Sequence, residues 1–163
     1  MPAEPIIFGR IALVPLPGWK FFPQETQVIG RKLTRVGGIE ISLRFLDHSP
    51  TARSHFESLH LANQALPSED VSPPYSFDRI RWGPCYFGGA SYNVGSDFLR
   101  LWYVHKDSSL VPIVYACKRD QRMTHDAMRE LVEAEQMAAG LTILPAFTSS
   151  AQAPMPSPVQ PTP

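Results

Sequence analysis

The chain has 163 residues, 44% of them apolar, and its fifteen Lys and Arg are balanced by fifteen Asp and Glu. That length suits one domain able to bury roughly two-thirds of its unfolded surface without metal or disulfide support. The neutral balance removes the electrostatic case for nonspecific nucleic-acid or anionic-membrane binding, and no apolar run approaches the roughly 20 residues of a membrane helix.

Ile6 to Phe8 and Ile11 to Val14 are short apolar runs split by Gly9 and Arg10. They lack the cationic start and long apolar stretch of a secretory signal, so a cytoplasmic protein is expected. Ile39, Ile41, Leu43 and Phe45 alternate with Glu40, Ser42 and Arg44, the pattern of a half-buried strand. Gly37-Gly38 is expected to form the turn before it, with Thr26 to Arg35 as its hairpin partner. Ser49 before Pro50 reads as an N-cap and first helical position, and Ala52, Phe56, Leu59 and Leu66 follow at near-helical spacing until Pro67.

A loop rich in Pro, Ser and acids follows, from Pro67 to Pro74. Phe77 to Trp82 and Cys85 to Val94 read as strands, interrupted at Gly83-Pro84 and by a bulge or turn at Gly88-Gly89. Phe98 to His105 and Val111 to Arg119 form the strongest strand pair, joined by the polar turn Lys106 to Ser109. Pro112 removes a ladder donor and is expected at an edge or bulge. Thr124 is placed to cap a second helix, with Asp126 in its first turn and Gly140 at its end. Its apolar stripe is read as Ala127, Met128, Leu131, Ala134 and Ala138, with Glu130 and Glu133 facing water. Leu141 to Ile143 can add a last short strand. From Pro145 to Pro163 no residue is charged and six of nineteen are proline, which predicts a disordered tail. Its PxxP spacing lacks flanking Lys or Arg, so a plain solvated segment is preferred to a groove ligand. The predicted organisation is therefore one α+β domain over residues 1–144, an antiparallel sheet packed by two helices, followed by a 145–163 tail.

Catalytic chemistry finds no motif. His55 and His60 are not at the i, i+4 spacing that shares a metal, and no HExxH, GxSxG or phosphate-binding glycine loop occurs. The Gly88-Gly89-Ala90-Ser91 run leads into a strand rather than a helix, so it lacks the anion site of a helix terminus. Cys85 and Cys117 are too far apart for a zinc site; buried, inert thiols are preferred to a disulfide between neighbouring strands. No cofactor, metal or catalytic residue is assigned.

The aromatic content points to binding. Trp82, Tyr86, Phe87, Tyr92, Phe98, Trp102 and Tyr103 fall in one short stretch, interleaved with Arg79, Arg81 and Arg100. Some of these rings must form core, but a sheet with one uncovered face would expose the rest. Trp82, Tyr86, Tyr92, Arg100 and Trp102 are the expected partner-binding residues. Another protein or a second copy of this chain is the expected partner, rather than nucleic acid or membrane.

The order of landmarks resembles a known family. An early strand leads to Leu16-Pro17-Gly18-Trp19, then Gly38 to Phe45 precedes the first helix. A long hairpin carries Leu99 to Val104 and Val114 to Cys117, and Met128 to Ile143 closes the domain. Over residues 6 to 144 this is similar to the PsbP/Mog-like α/β/α sandwich, which includes the Eag-type chaperones of bacterial type VI secretion effectors. The resemblance implies a binding or adaptor protein without catalytic residues; Eag-type chaperones hold apolar helices of effectors. A non-enzymatic adaptor or chaperone is thus the expected function. The rivals are a small immunity or inhibitor protein using Glu69 and Asp70, and a hydrolase with a pocket between sheet and helix.

Overall fold

The computed structural model describes residues 4–45, 62, 76–77 and 86–146. In chain order the elements are β1 (Ile6–Phe8), β2 (Ile11–Leu13), β3 (Trp19–Pro23), β4 (Gln27–Lys32), β5 (Gly37–Ser42), β6 (Arg44–Phe45), β7 (Ser76–Phe77), β8 (Tyr86–Val94), β9 (Asp97–Lys106), β10 (Ser109–Lys118), α1 (His125–Ala139) and β11 (Thr142–Ile143). They form an eight-stranded antiparallel sheet in the order β3-β4-β5-β10-β9-β8-β7, with β6 also pairing β10, and a three-stranded sheet in the order β1-β2-β11.

This corrects the expected α+β arrangement of one sheet packed by two helices in a sandwich. The described residues are dominated by antiparallel strands and contain a single complete helix, α1. The helix expected over 50–66 lies outside them except for Ala62, and so does the tail from residue 147. What shares the helix-facing side of the large sheet with α1 is the small sheet: Ile11, Leu13 and Ile143 join the same core cluster as Ile39, Ile41, Trp102, Ile113 and Tyr115. Leu144 N–H closes that sheet's end onto Arg10 C=O at 2.7 Å.

Three long strands set the scaffold because β-branched and aromatic side chains fill both faces of a pleated ribbon well. Tight turns join them, with positive φ at Gly95 and Asp107. Two interruptions expected from the sequence are absent. Gly88-Gly89 lies inside β8 in continuous register, opposite Tyr103 and Trp102. Gly37-Gly38 opens β5 rather than turning before it; the turn is Leu33 to Val36, with positive φ at Arg35. A Cβ at Gly37 would stand 2.6 Å from the Ala116 carbonyl oxygen, so close strand approach, not turn geometry, demands glycine there.

Pro112 is neither at an edge nor at a bulge. It lies opposite Tyr103 in β10, which pairs β9 on one side and β5 and β6 on the other. The pairs Ile113–Ile41 and Leu110–Arg44 bracket Pro112 where β5 ends and β6 begins. The missing donor is accommodated by this break in the ladder.

The α1 cap is as expected: the Thr124 hydroxyl accepts from Ala127 N–H at 3.3 Å, and Gly140 N–H reaches Gln136 C=O at 3.1 Å. Its buried face differs. Glu130 is fully buried beside Ala127, Ala134, Met137 and Ala138, whereas Met128 is 44% exposed. Apolar content alone misassigns the stripe because a carboxylate with a complete set of donors can occupy the core.

Candidate partner-binding surface

Strand alternation assigns the side chains of β9 to two faces. Phe98, Trp102 and Val104 join the helix-side core, while Leu99, Leu101 and Tyr103 join a second cluster with Tyr92, Leu110 and Ala62. Of the sequence-predicted site residues, Tyr92 is 1% exposed, Arg100 9% and Trp102 0%. Arg100 donates to Ser91 Oγ at 2.8 Å, with its guanidinium 5.7 Å from the Trp102 ring centroid. Tyr86 heads β8, and Trp82 lies outside the described residues. The expected open aromatic face is thus closed at Tyr92, Arg100 and Trp102. The sequence carried a signal for this: Phe98 to Val104 is nearly continuous in large apolar residues, the mark of a strand buried on both sides.

The side of the large sheet facing away from α1 is open at its other end. There β3, β4 and β5 place Lys20 opposite Arg31, Phe22 opposite Ile29, and Ile29 opposite Glu40, which in turn pairs with Val114 of β10. Phe22 is 53% exposed, Lys20, Arg31 and Glu40 are exposed, and Ile29 and Val114 are half-buried. The Arg31 guanidinium lies over Gly38, where a Cβ would stand 2.6 Å from Nη1, and it donates to Gly37 C=O at 3.5 Å. The apolar pair Phe22–Ile29, the cations Lys20 and Arg31 and the carboxylate Glu40 therefore share one solvent-facing sheet surface, which sequence reading missed because it weighed ring density rather than which strands have covered faces.

On the opposite side, carboxylates serve as anchors. Glu130 accepts Gly37 N–H at 2.8 Å, Val36 N–H at 3.3 Å, Tyr115 Oη–H at 3.0 Å and the Thr34 hydroxyl. Burial first, then the Glu130 charge, pushes the Tyr115 phenol well above its ordinary value, and burial likewise raises the Cys117 thiol. Both groups are therefore held protonated and unreactive. Glu133 accepts Trp19 Nε1–H at 2.8 Å and pairs with Lys32 at 2.5 Å and Arg129 at 3.1 Å. These bonds tie α1 to β3, β4 and β5.

A cleft of about 310 Å³ separates the small sheet from the β3–β4 hairpin, floored by Phe8, Ile11, Val28, Ile41 and Leu43. Two amides at its rim bond each other, Gln27 Nε2 to Gln24 Oε1 at 3.0 Å. Among the described residues no group of three His, Cys, Asp or Glu is placed to hold a metal ion, and no helix is long and apolar enough to cross a membrane.

No protein-family model matches this chain, and no curated protein matches it. Solved structures do. The cyanobacterial PsbP (CyanoP) from Synechocystis sp. PCC 6803 superposes with a TM-score of 0.53 at 12% identity, over 82% of this chain and 86% of that one. A crystal structure from Bacteroides thetaiotaomicron VPI-5482 superposes with a TM-score of 0.52 at 12% identity, over 90% of this chain, which spans only 50% of that one. LpqN, involved in cell envelope biogenesis of Mycobacterium tuberculosis, gives a TM-score of 0.46 at 13% identity, over 89% of this chain and 87% of that one. The likeness is one of fold: the chain has a PsbP-like fold.

Proposed function

We propose that this chain is a non-enzymatic protein-binding domain, an adaptor or chaperone, that receives its partner on the open part of the sheet formed by β3, β4 and β5. The observation that carries the reading is the apolar pair of exposed Phe22 and half-buried Ile29 on the solvent-facing side, with half-buried Val114 beyond Glu40, in a sheet whose β8–β9 end is buried on both sides. Such a pair favours association because covering it removes apolar area from water. A pleated surface also accepts an apolar helix, the ligand type that the resemblance to Eag-type chaperones suggests. The carboxylates of Glu130 and Glu133 are committed to bonds that hold α1.

The test is a selection of displayed random peptides against the full chain, followed by amide-shift mapping of the selected peptides. Shifts centred on Phe22, Ile29 and Val114, with binding lost in Phe22→Asp at unchanged melting temperature, are the expected result. Shifts centred on the outer side of α1 or in the cleft between the sheets would overturn it.

A further inference from the structure

The geometry points to the chemistry of the occupant: an acidic segment of a partner protein that also carries apolar side chains. This rests on the reading of β3, β4 and β5 as the docking surface and adds which partner that surface selects. Lys20 and Arg31 are directly paired across β3 and β4, and both are exposed. Like charges at cross-strand positions have Cβ atoms only about 5 Å apart and repel each other. Among the described residues Lys20 has no ion pair and Arg31 bonds only to a backbone carbonyl, that of Gly37.

The Arg31 fork is pre-placed. It lies flat over Gly38, in space that any side chain at 38 would take, so less freedom is lost when a carboxylate arrives. By contrast Lys32, on the same strand, is neutralised by Glu133 at 2.5 Å, and Lys118 by Asp97 at 2.6 Å. The chain as a whole carries no net charge, so this positive potential is local. Beside the two cations runs the Phe22–Ile29 pair, and Glu40 stands beyond Ile29. A uniformly charged phosphate chain crossing the face would meet that carboxylate. A segment whose acidic side chains sit over Lys20 and Arg31, and whose apolar side chains sit over Phe22 and Ile29, would not.

The experiment measures the full chain against a short labelled peptide of glutamate and leucine and against its glutamine-for-glutamate counterpart. A single-stranded oligothymidylate and vesicles containing phosphatidylserine are the further probes. The glutamate peptide is expected to bind about tenfold more tightly than the glutamine peptide at low salt, with the advantage shrinking as salt rises. Lys20→Glu with Arg31→Glu should abolish that advantage, and Lys20→Gln with Arg31→Gln gives the same readout should charge reversal perturb folding. Equal affinity for the two peptides, with shifts still on Phe22 and Ile29, overturns the acidic preference and leaves the docking surface standing. Binding of neither peptide removes both. Oligothymidylate or vesicles that bind as tightly as the glutamate peptide, and are unaffected by Phe22→Ser, show a generic anion surface and overturn the inference.

Discussion

Glu130, fully buried in the middle of α1, accepts the backbone N–H of Gly37 at 2.8 Å. That bond ties the helix to the first residue of β5, and the same carboxylate also takes the Val36 N–H and the Tyr115 hydroxyl. Glu130→Ala leaves these donors buried without an acceptor, and a loss of about 3–5 kcal/mol in urea unfolding is expected. Glu130→Gln keeps one carbonyl oxygen and should lose less. A double-mutant cycle of Glu130→Gln with Tyr115→Phe should show coupling of about 0.5–3 kcal/mol; strict additivity would mean that the two groups do not interact.

The neighbouring glycines should respond differently to the same substitution. Gly37→Ala brings a methyl group against the Ala116 backbone oxygen, which cannot move without displacing β10. A destabilisation of about 1–3 kcal/mol is expected. Gly38→Ala meets only the flexible end of Arg31, so stability should change by less than about 1 kcal/mol while the guanidinium is displaced. Thermal melts of the two variants compare them directly.

Trp102, with no exposed surface, is core. Trp102→Ala should lose about 3–5 kcal/mol through cavity formation, measured by denaturant unfolding. Its indole N–H has no hydrogen-bond partner among the described residues. Trp102→Phe removes that buried donor together with the extra ring, so it should be distinctly milder than the alanine variant.

Burial pushes the Glu133 carboxyl upward, but hydrogen bonds from Lys32, Trp19 and Arg129 outweigh it and hold the group below its ordinary 4.5. A folded-state value below the unfolded one makes its stabilisation fully present above about pH 4.5, to be lost as pH falls through the folded value. The stability difference between the native chain and Glu133→Gln should accordingly be constant near neutrality and shrink in acid. A difference that grows on acidification would reverse the sign of this linkage.

Cys117 is buried, and its raised thiol pKa disfavours the reactive thiolate. In a Cys85→Ser background the folded protein should react with iodoacetamide far more slowly than the urea-unfolded chain at the same pH. Equal rates would place the thiol at the surface.

Local sequence determined much of the strand framework. The alternation from Ile39 to Ser42, the turn after Lys106 and the Thr124 cap each rest on contacts within a few residues, so their pattern is readable along the chain, whereas Phe45, expected to continue the buried alternation, lies in the separate β6 and is 64% exposed. The PsbP-like fold was legible as an order of landmarks. Tertiary structure decided what those elements face. Gly88, Gly89 and Pro112 are ordinary breakers in isolation; here the glycines stand in the continuous pairing of β8 with β9, and Pro112 falls at a gap in the ladder between β5 and β6. Glu130 became core only because the β4–β5 turn, β5 and β10 bring four donors to one carboxylate. The aromatic run from Tyr92 to Tyr103 turned inward on both faces, leaving Lys20, Phe22, Ile29 and Arg31 at the surface. Burial depends on what packs across the sheet, and that is set by pairing between residues far apart in the chain.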